Sequence, residues 1–446
     1  MECNKNDKLY TSCEHYSSSD PQLYKFIKQE EKRQQDTVEL IASENITSSE
    51  VLECLGSCLT NKYSEGLPGK RYYGGNEYID EIENLAINRA LEAFRLSPEE
   101  WGCNVQSYSG SIANIAAYNA ILKPLDLIMG LDLASGGHLS HGFFTPKRRV
   151  SFSSVLYQSI PYGLDNKGYI DYDTLVENVK KTPPKLIICG ASAYPRDYDY
   201  IRFREIANSC GAYLMSDISH VSGLIATQQH NNPFPYCDIV TTTTHKTLRG
   251  PRSAMIFGRK HLMQAINDSV FPGVQGGPHQ HQIAGVATQL REVMTPEFKK
   301  YIQQVKKNTQ ALAERMQKLG YTLVSGGSDN HLILVDLKPQ GITGSKVEWL
   351  ADQFQYTLNK NNVVGDTSAA SPGGIRIGTP AMTTRGYLEK DFQQVADTLH
   401  SIIQLSIEIQ KQVQEDTQSK KVKLVDFQKQ FHQNEATYKS KMLSVQ

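Results

Sequence analysis

The sequence predicts an α/β protein: a largely parallel sheet with helices on both faces, followed by a smaller α+β domain. Three observations carry this. From Pro98 to Gly258, short β-branched runs alternate with helical patterns, the rhythm of strand–helix–strand units. Each run closes on small, polar or glycine residues, where open parallel sheets place their chemistry. After Pro296 the rhythm gives way to one long polar-faced helix and a few separated strands. A chain of 446 residues exceeds one ordinary core. The expected organisation is an N-terminal arm over 1–42, a large domain over 43–295 and a small domain over 296–446.

Taken in order, residues 1 to about 20 are polar and read as a loose terminus. Asp20-Pro21 then marks a helix start, with proline at the first helical position and Leu23, Phe26 and Ile27 at helical spacing. Ser109-Gly110-Ser111 precedes a helix over Ile112 to Leu122. The runs Leu186 to Cys189, Tyr213 to Met215 and Ile239-Val240, the last leading into four threonines, read as strands, with a helix over Tyr200 to Ser209 between two of them. Beyond Pro296 come a helix over Glu297 to Lys318 and strands at Tyr321 to Val324 and Leu332 to Leu337. A helix around Lys346 to Leu358, a strand at Ile375 to Ile377 and a helical tail from Asp391, charged beyond Lys411, complete the chain.

Composition narrows the partners. Lys plus Arg and Asp plus Glu each total 47, so no net field draws the chain to nucleic acid or membrane. No stretch approaches the roughly 20 apolar residues of a membrane span. The eight cysteines contain no Cys-x-x-Cys pair and read as reduced thiols. The first twenty residues lack arginine and carry Glu2, Asp7, Glu14 and Asp20, a poor transit or signal peptide, so cytoplasm is the expected location.

Several segments carry candidate chemistry. In Thr241-Thr242-Thr243-Thr244-His245-Lys246-Thr247, a β-branched strand delivers a lysine at its end. Among weakly polar neighbours such a lysine can lose its proton, as imine formation demands, although alone a solvated lysine explains it equally well. Ser216-Asp217 puts a carboxylate at the end of another strand; it suits a protonated ring nitrogen, or a plain helix cap. Ser109-Gly110-Ser111 offers hydroxyls and free N–H groups for a phosphate, or an ordinary N-cap. His138 and His141 sit three apart after Gly136-Gly137. With no cysteine or carboxylate close in sequence, stacking on a flat ring fits them better than a metal. Arg376, on a short strand bounded by glycines, suits a carboxylate with two parallel hydrogen bonds. Asn61 to Gly66 and Arg71 to Asn76 form an aromatic, charged, glycine-rich stretch that reads as a binding loop.

Together these segments resemble the serine hydroxymethyltransferases, pyridoxal-phosphate enzymes of fold type I (the aspartate aminotransferase-like fold). The resemblance runs from about Leu40 to Asp391 and includes Leu40-Ile41-Ala42-Ser43-Glu44-Asn45, Asn61 to Gly75, Ser135 to Gly142, Thr241 to Arg252, Phe271 to Pro278 and Gly374 to Pro380. It implies reversible conversion of L-serine and tetrahydrofolate to glycine and methylenetetrahydrofolate, through a pyridoxal-phosphate aldimine at Lys246. Asp217 is then expected at the ring nitrogen, His138 stacked on the ring and His220 near its phenolic oxygen. Ser109, Gly110, Ser111 and His245 are expected on the phosphate, joined by Tyr63 and the Gly276-Gly277 turn from a neighbouring subunit. Ser192 and Thr243 are expected to line the pocket. The resemblance puts Ser43 and Arg376 on the substrate carboxylate with Tyr73 nearby. Glu65 is the proton-handling acid, also shared across subunits. Tyr72, Leu133, Gly137, Leu139, Asn361 and Glu65 are the expected folate contacts, and tetrahydrofolate the co-substrate. Shared sites imply a homodimer or larger. Ser107, Leu67, Ser253-Ala254 and Val364 depart from the family's usual residues; Val364 bears on the folate pocket. A folate-independent threonine aldolase is the rival enzyme, and a non-enzymatic RNA-binding or scaffold relative the rival of another class.

Overall fold

A computed structural model describes residues 20–366 and 371–443, so the expected loose terminus before Asp20 lies outside the described residues. The chain divides into two compact units: Asn45–Gln303, and Met1–Glu44 together with Gln304–Gln446.

The first unit is built on a seven-stranded sheet. Its strands are β1 (Trp101–Asn104), β2 (Leu127–Met129), β3 (Gln158–Ser159), β4 (Leu186–Cys189), β5 (Tyr213–Asp217), β6 (Ile239–Thr243) and β7 (Ala254–Arg259). Their spatial order is β1-β7-β6-β5-β4-β2-β3. The pairs from β6 through β3 are parallel; β7 runs antiparallel to both its neighbours. The expected mostly parallel sheet is therefore present, with one reversed strand inside it.

Strand periodicity distributes the core over two faces. Ile188, Met215 and Ile239 point into one cluster with Ala113, Ala116 and Ala117 of the helix Gly110–Ile121. Ile187, Leu214 and Val240 point into the other, with Phe203, Leu224 and Phe257. Both faces being covered, β4 and β6 are buried throughout, which is why they read as continuous runs rather than alternating ones. The buried threonine hydroxyls find partners: Thr241 Oγ1 donates to Asn114 Oδ1 at 2.6 Å, and Thr244 Oγ1 to the Pro251 carbonyl at 2.6 Å.

The second unit carries a four-stranded antiparallel sheet of β8 (Thr322–Leu323), β9 (Leu332–Asp336), β10 (Asn359–Asn361) and β11 (Gly374–Gly378), in the order β8-β9-β11-β10. Of the segment read as an arm over 1–42, the described part, from Asp20, belongs to this unit. Val38–Glu39 pairs in parallel with Tyr356–Thr357, and the Gly378 N–H donates to the Leu40 carbonyl at 2.8 Å. Such a pairing joins residues too far apart in the chain for local pattern to reveal it. The helix expected to reach Leu358 is Gly344–Gln353; Gln355 adopts φ +63, which ends it before the short strand. The helix expected from Asp20 is Pro21–Asp36, with the Asp20 carboxylate accepting the Leu23 N–H at 3.0 Å.

Candidate active site

The site-bearing residues of the first unit gather at the carboxyl ends of β5 and β6. Asp217 ends β5 in register with Thr241 of β6, and β6 runs on through Thr244 and His245 to Lys246. Thr247 ties the two strand ends together. Its Oγ1 donates to the His220 carbonyl at 2.8 Å and accepts the Gly223 N–H at 3.1 Å. The Lys246 carbonyl accepts from the Arg249 N–H and from Asn45 Nδ2, each at 3.0 Å. The lysine backbone is thus held by a tight turn and by a residue far off in sequence.

Asp217 is the most elaborately partnered carboxylate of this cluster, its side chain only 9% exposed. Oδ1 accepts from the Ser219 N–H at 3.0 Å and its hydroxyl at 2.5 Å. Oδ2 accepts from Asn114 Nδ2 at 2.9 Å and lies 3.0 Å from His141 Nε2. Burial by itself would push the carboxyl up. The hydrogen bond and charge of His141, then His138 and Asn114, outweigh it and hold Asp217 well below the usual carboxylate range. A carboxylate can only accept, so His141 Nε2 must carry a proton.

His138 lies on the same network. Its Nδ1 is 2.7 Å from Ser140 Oγ and accepts the Ser140 N–H at 3.2 Å, which leaves a proton on Nε2. Burial, then His141 and Lys246, lowers its pKa to about 4 against the pull of Asp217, so the ring is neutral at pH 7. The loop before it depends on Gly136 and Gly137. Gly136 sits at φ +99, and a Cβ there would meet the Ala193 carbonyl at 2.3 Å; one on Gly137 would meet the Leu131 carbonyl at 1.8 Å. This close packing brings the Ser192 N–H to the Gly136 carbonyl at 2.8 Å.

The Ser109-Gly110-Ser111 corner opens the helix Gly110–Ile121 as expected, but Ser109 makes no side-chain cap bond and is exposed. Gly110 approaches Thr243 so closely that a Cβ would lie 2.6 Å from its Cγ2. Beside it His245 is held neutral, its pKa lowered to about 3 by burial, then Arg252 and Lys246, and its buried Nδ1 has no partner among the described residues. Uncommitted serine hydroxyls, helix-start N–H groups and an orphaned imidazole nitrogen suit a phosphate. With a lysine and an anchored carboxylate at adjoining strand ends, they fit pyridoxal phosphate.

A second group of predicted residues lies on the loop from Asn61 to Asn76. Tyr63 and Tyr73 meet edge to face at 5.4 Å, and Tyr72 meets Phe271 at 5.5 Å. Gly276 and Gly277 back this loop: a Cβ on Gly277 would crowd the Tyr63 ring at 3.1 Å, and one on Gly276 would stand 3.3 Å from Glu65 Oε1. Tyr63, Tyr72 and Tyr73 remain 50–73% exposed. Leu133 begins a short 3-10 turn, and Leu139 is half exposed.

The remaining predicted residues belong to the second unit. Arg376 lies on β11, opposite Asn359 of β10, whose Oδ1 accepts its Nε at 2.9 Å. Burial lowers its pKa to about 10, leaving the guanidinium charged at pH 7. Asn361 lies on the same neighbouring strand, and its Nδ2 donates to the Asn362 carbonyl at 2.7 Å. Gly378 is packed on Ala42, where a Cβ would meet the Ala42 Cα at 2.3 Å, so the chain entering Ser43 runs against the end of β11. Sequence reasoning missed Asn114, Ser219 and the carboxylate role of His141. Asn114 did lie in a segment that carries the family resemblance, with Ser109-Gly110-Ser111 and Ala113, but its partner was not given there.

This sheet, with a lysine and a buried carboxylate at neighbouring strand ends, defines the class: the fold-type I pyridoxal-phosphate enzymes. The sequence profile of serine hydroxymethyltransferase matches residues 16–399. The chain is 59% identical over 399 residues to the chloroplastic serine hydroxymethyltransferase 3 of Arabidopsis thaliana, covering 88% of this chain and 75% of that one. It is 52% identical over 439 residues to the Bombyx mori serine hydroxymethyltransferase (95% and 93%). To the cytosolic enzyme of Oryctolagus cuniculus it is 53% identical over 408 residues (88% and 84%). The chain belongs to the serine hydroxymethyltransferase family.

Proposed function

We propose that this enzyme interconverts L-serine and glycine with tetrahydrofolate as one-carbon carrier, using pyridoxal phosphate held by Lys246. The observation that carries the reading is Asp217, a buried carboxylate kept anionic by its partners at the strand end beside the one that leads to Lys246. When bound, pyridoxal phosphate supplies an electron sink for cleavage between Cα and Cβ of the substrate. Asn114, His141 and Ser219 keep Asp217 anionic, and Asp217 would keep the ring nitrogen protonated. His138, neutral and fixed by Ser140, would stack on the ring, and His220 would stand near its phenolic oxygen. Ser109, Gly110, Ser111 and His245 would hold the phosphate, with Ser192 and Thr243 lining the pocket.

Arg376 and Ser43 bind the substrate carboxylate, with Tyr73 beside it. Glu65 moves the proton of the substrate hydroxyl as a general acid–base group. Tyr72, Leu133, Gly137, Leu139 and Asn361 contact the folate. The exposed Tyr63, with Glu65 and the Gly276-Gly277 turn, serves the site of a second copy, so the active form is a homodimer or larger. Among the described residues no helix is long and apolar enough to cross a membrane. A cytoplasmic location is part of the proposal, and subcellular fractionation tests it, since the relatives include cytosolic and chloroplastic forms.

The decisive experiment is Lys246→Ala. The purified parent should be yellow, trap its cofactor on borohydride reduction and form glycine from serine only with tetrahydrofolate. The variant should lose covalent trapping and turnover together. Normal turnover in Lys246→Ala overturns the reading, and serine cleavage indifferent to folate favours the aldolase.

A further inference from the structure

Beneath the loop that bears Glu65 lies a buried polar cluster to which the reaction above gives no part. Arg71, its side chain 4% exposed, donates through Nη1 to the carbonyls of Ser64 and Gly66, each at 2.8 Å. These are the two residues that flank Glu65. The same guanidinium reaches Asp80 Oδ1 through Nε at 2.8 Å and Glu83 Oε2 through Nη2 at 2.7 Å.

Glu83, on the helix Glu77–Ala93, is fully buried. Besides Arg71 it accepts from Gln106 Nε2 at 2.7 Å and Gln280 Nε2 at 3.2 Å. Both glutamines also touch the loop: Gln106 Nε2 donates to the Gly66 carbonyl at 2.9 Å, and Gln280 Nε2 to Ser64 Oγ at 3.0 Å. All three donors that meet on Glu83 therefore grip residue 64 or 66. The Glu65 carbonyl is itself taken by the Tyr72 N–H at 3.1 Å, and Gly66, at φ +95, leaves no room for a Cβ against the Lys70 carbonyl.

A buried ion pair of this kind adds little net stability over well-packed apolar residues, but it fixes directions. We propose that Glu83, acting through Arg71, Gln106 and Gln280, is a positioning residue for Glu65. It sets the backbone on either side of Glu65 so that the carboxyl meets the substrate hydroxyl. The inference rests on the proposed proton-handling role of Glu65.

The test uses the holoenzyme with Glu83→Gln and Gln106→Met, each alone and combined with Glu65→Gln, at enzyme concentrations that keep each rate measurable. A misplacement on the ångström scale should lower kcat with serine and tetrahydrofolate roughly 10- to 100-fold. KM for serine should stay within about twofold, with the cofactor absorbance unchanged. In the Glu65→Gln background the same substitutions should lower kcat by less than about threefold, because the group they position is gone. Full additivity there, or an unchanged kcat in the single variants, overturns the proposal while leaving the Glu65 role intact. If Glu83→Gln does not fold, Gln106→Met, which keeps the Arg71–Glu83 pair, decides on the same readouts. An unaltered kcat in Glu65→Gln overturns the Glu65 role first, and this inference with it.

Discussion

Asp217 and His138 illustrate how one cluster assigns opposite charge states to neighbouring groups. Asp217 is held ionised by donors on both oxygens, whereas His138 is kept neutral chiefly by its burial. The second effect has a pH signature in the cofactor-free protein. An unfolded histidine titrates near 6.5, and folded His138 near about 4. Between those values the unfolded chain takes up a proton that the folded one refuses, so His138 lowers stability as pH falls below 6.5. His138→Gln should flatten the dependence by up to about 1.4 kcal/mol per pH unit. Urea unfolding of parent and variant at pH 7, 6 and 5 measures the difference; parallel profiles would mean the ring is not buried neutral. At this scale Lys246 and Asp217 stood out in the sequence as charged residues following or closing a strand, and Arg376 as a cation inside a glycine-bounded one. Asn114 and Ser219 were not, because nothing in a polar side chain's own neighbourhood says which distant carboxylate it will meet.

Among elements, the strands buried on both faces were read most accurately. Leu186–Cys189 agrees residue for residue, and Tyr213–Asp217 extends the expected run by two residues to end on the carboxylate of Asp217. The short pieces fared worse, since two-residue strands owe their existence to a partner. The expected strand over Tyr321 to Val324 shrinks to Thr322–Leu323, and a 3-10 turn follows. The charged tail resolves into the helices Leu424–Gln433 and Glu435–Leu443, whose aromatic residues are buried. Trp349 meets the edges of Phe427 at 6.0 Å and Phe431 at 5.3 Å, and Phe431 stacks on Tyr438. The tail is thus part of the second unit's core rather than an appendage. Phe431→Ala should destabilise that unit by about 3–5 kcal/mol. Denaturant melts followed by Trp349 fluorescence would register it, and an unchanged midpoint would show the tail to be dispensable.

For the molecule as a whole, the proposed sharing of sites makes a numerical prediction. If each site takes Lys246 from one chain and Glu65 from the other, co-expressing Lys246→Ala with Glu65→Gln chains creates hybrids. Random pairing makes half the dimers mixed, and one site of each mixed dimer is intact. Two nearly inactive variants should together recover about a quarter of parental activity, as a two-fold symmetric assembly requires. No recovery in verified hybrids would place both residues in sites built from a single chain.

The sequence by itself determined the class of fold and the family, and it singled out a lysine and a carboxylate at strand ends. These depend on periodicity and on motifs a few residues long, and local order along the chain preserves both. Only the tertiary structure decided that 20–44 joins the C-terminal unit and that Asn114, Ser219 and His141 hold Asp217. It also decided that Glu83 gathers the three side chains, Arg71, Gln106 and Gln280, that grip residues 64 and 66. Those facts are pairings across long stretches of chain. A buried polar group must find a partner somewhere, but only the folded geometry says which one it finds.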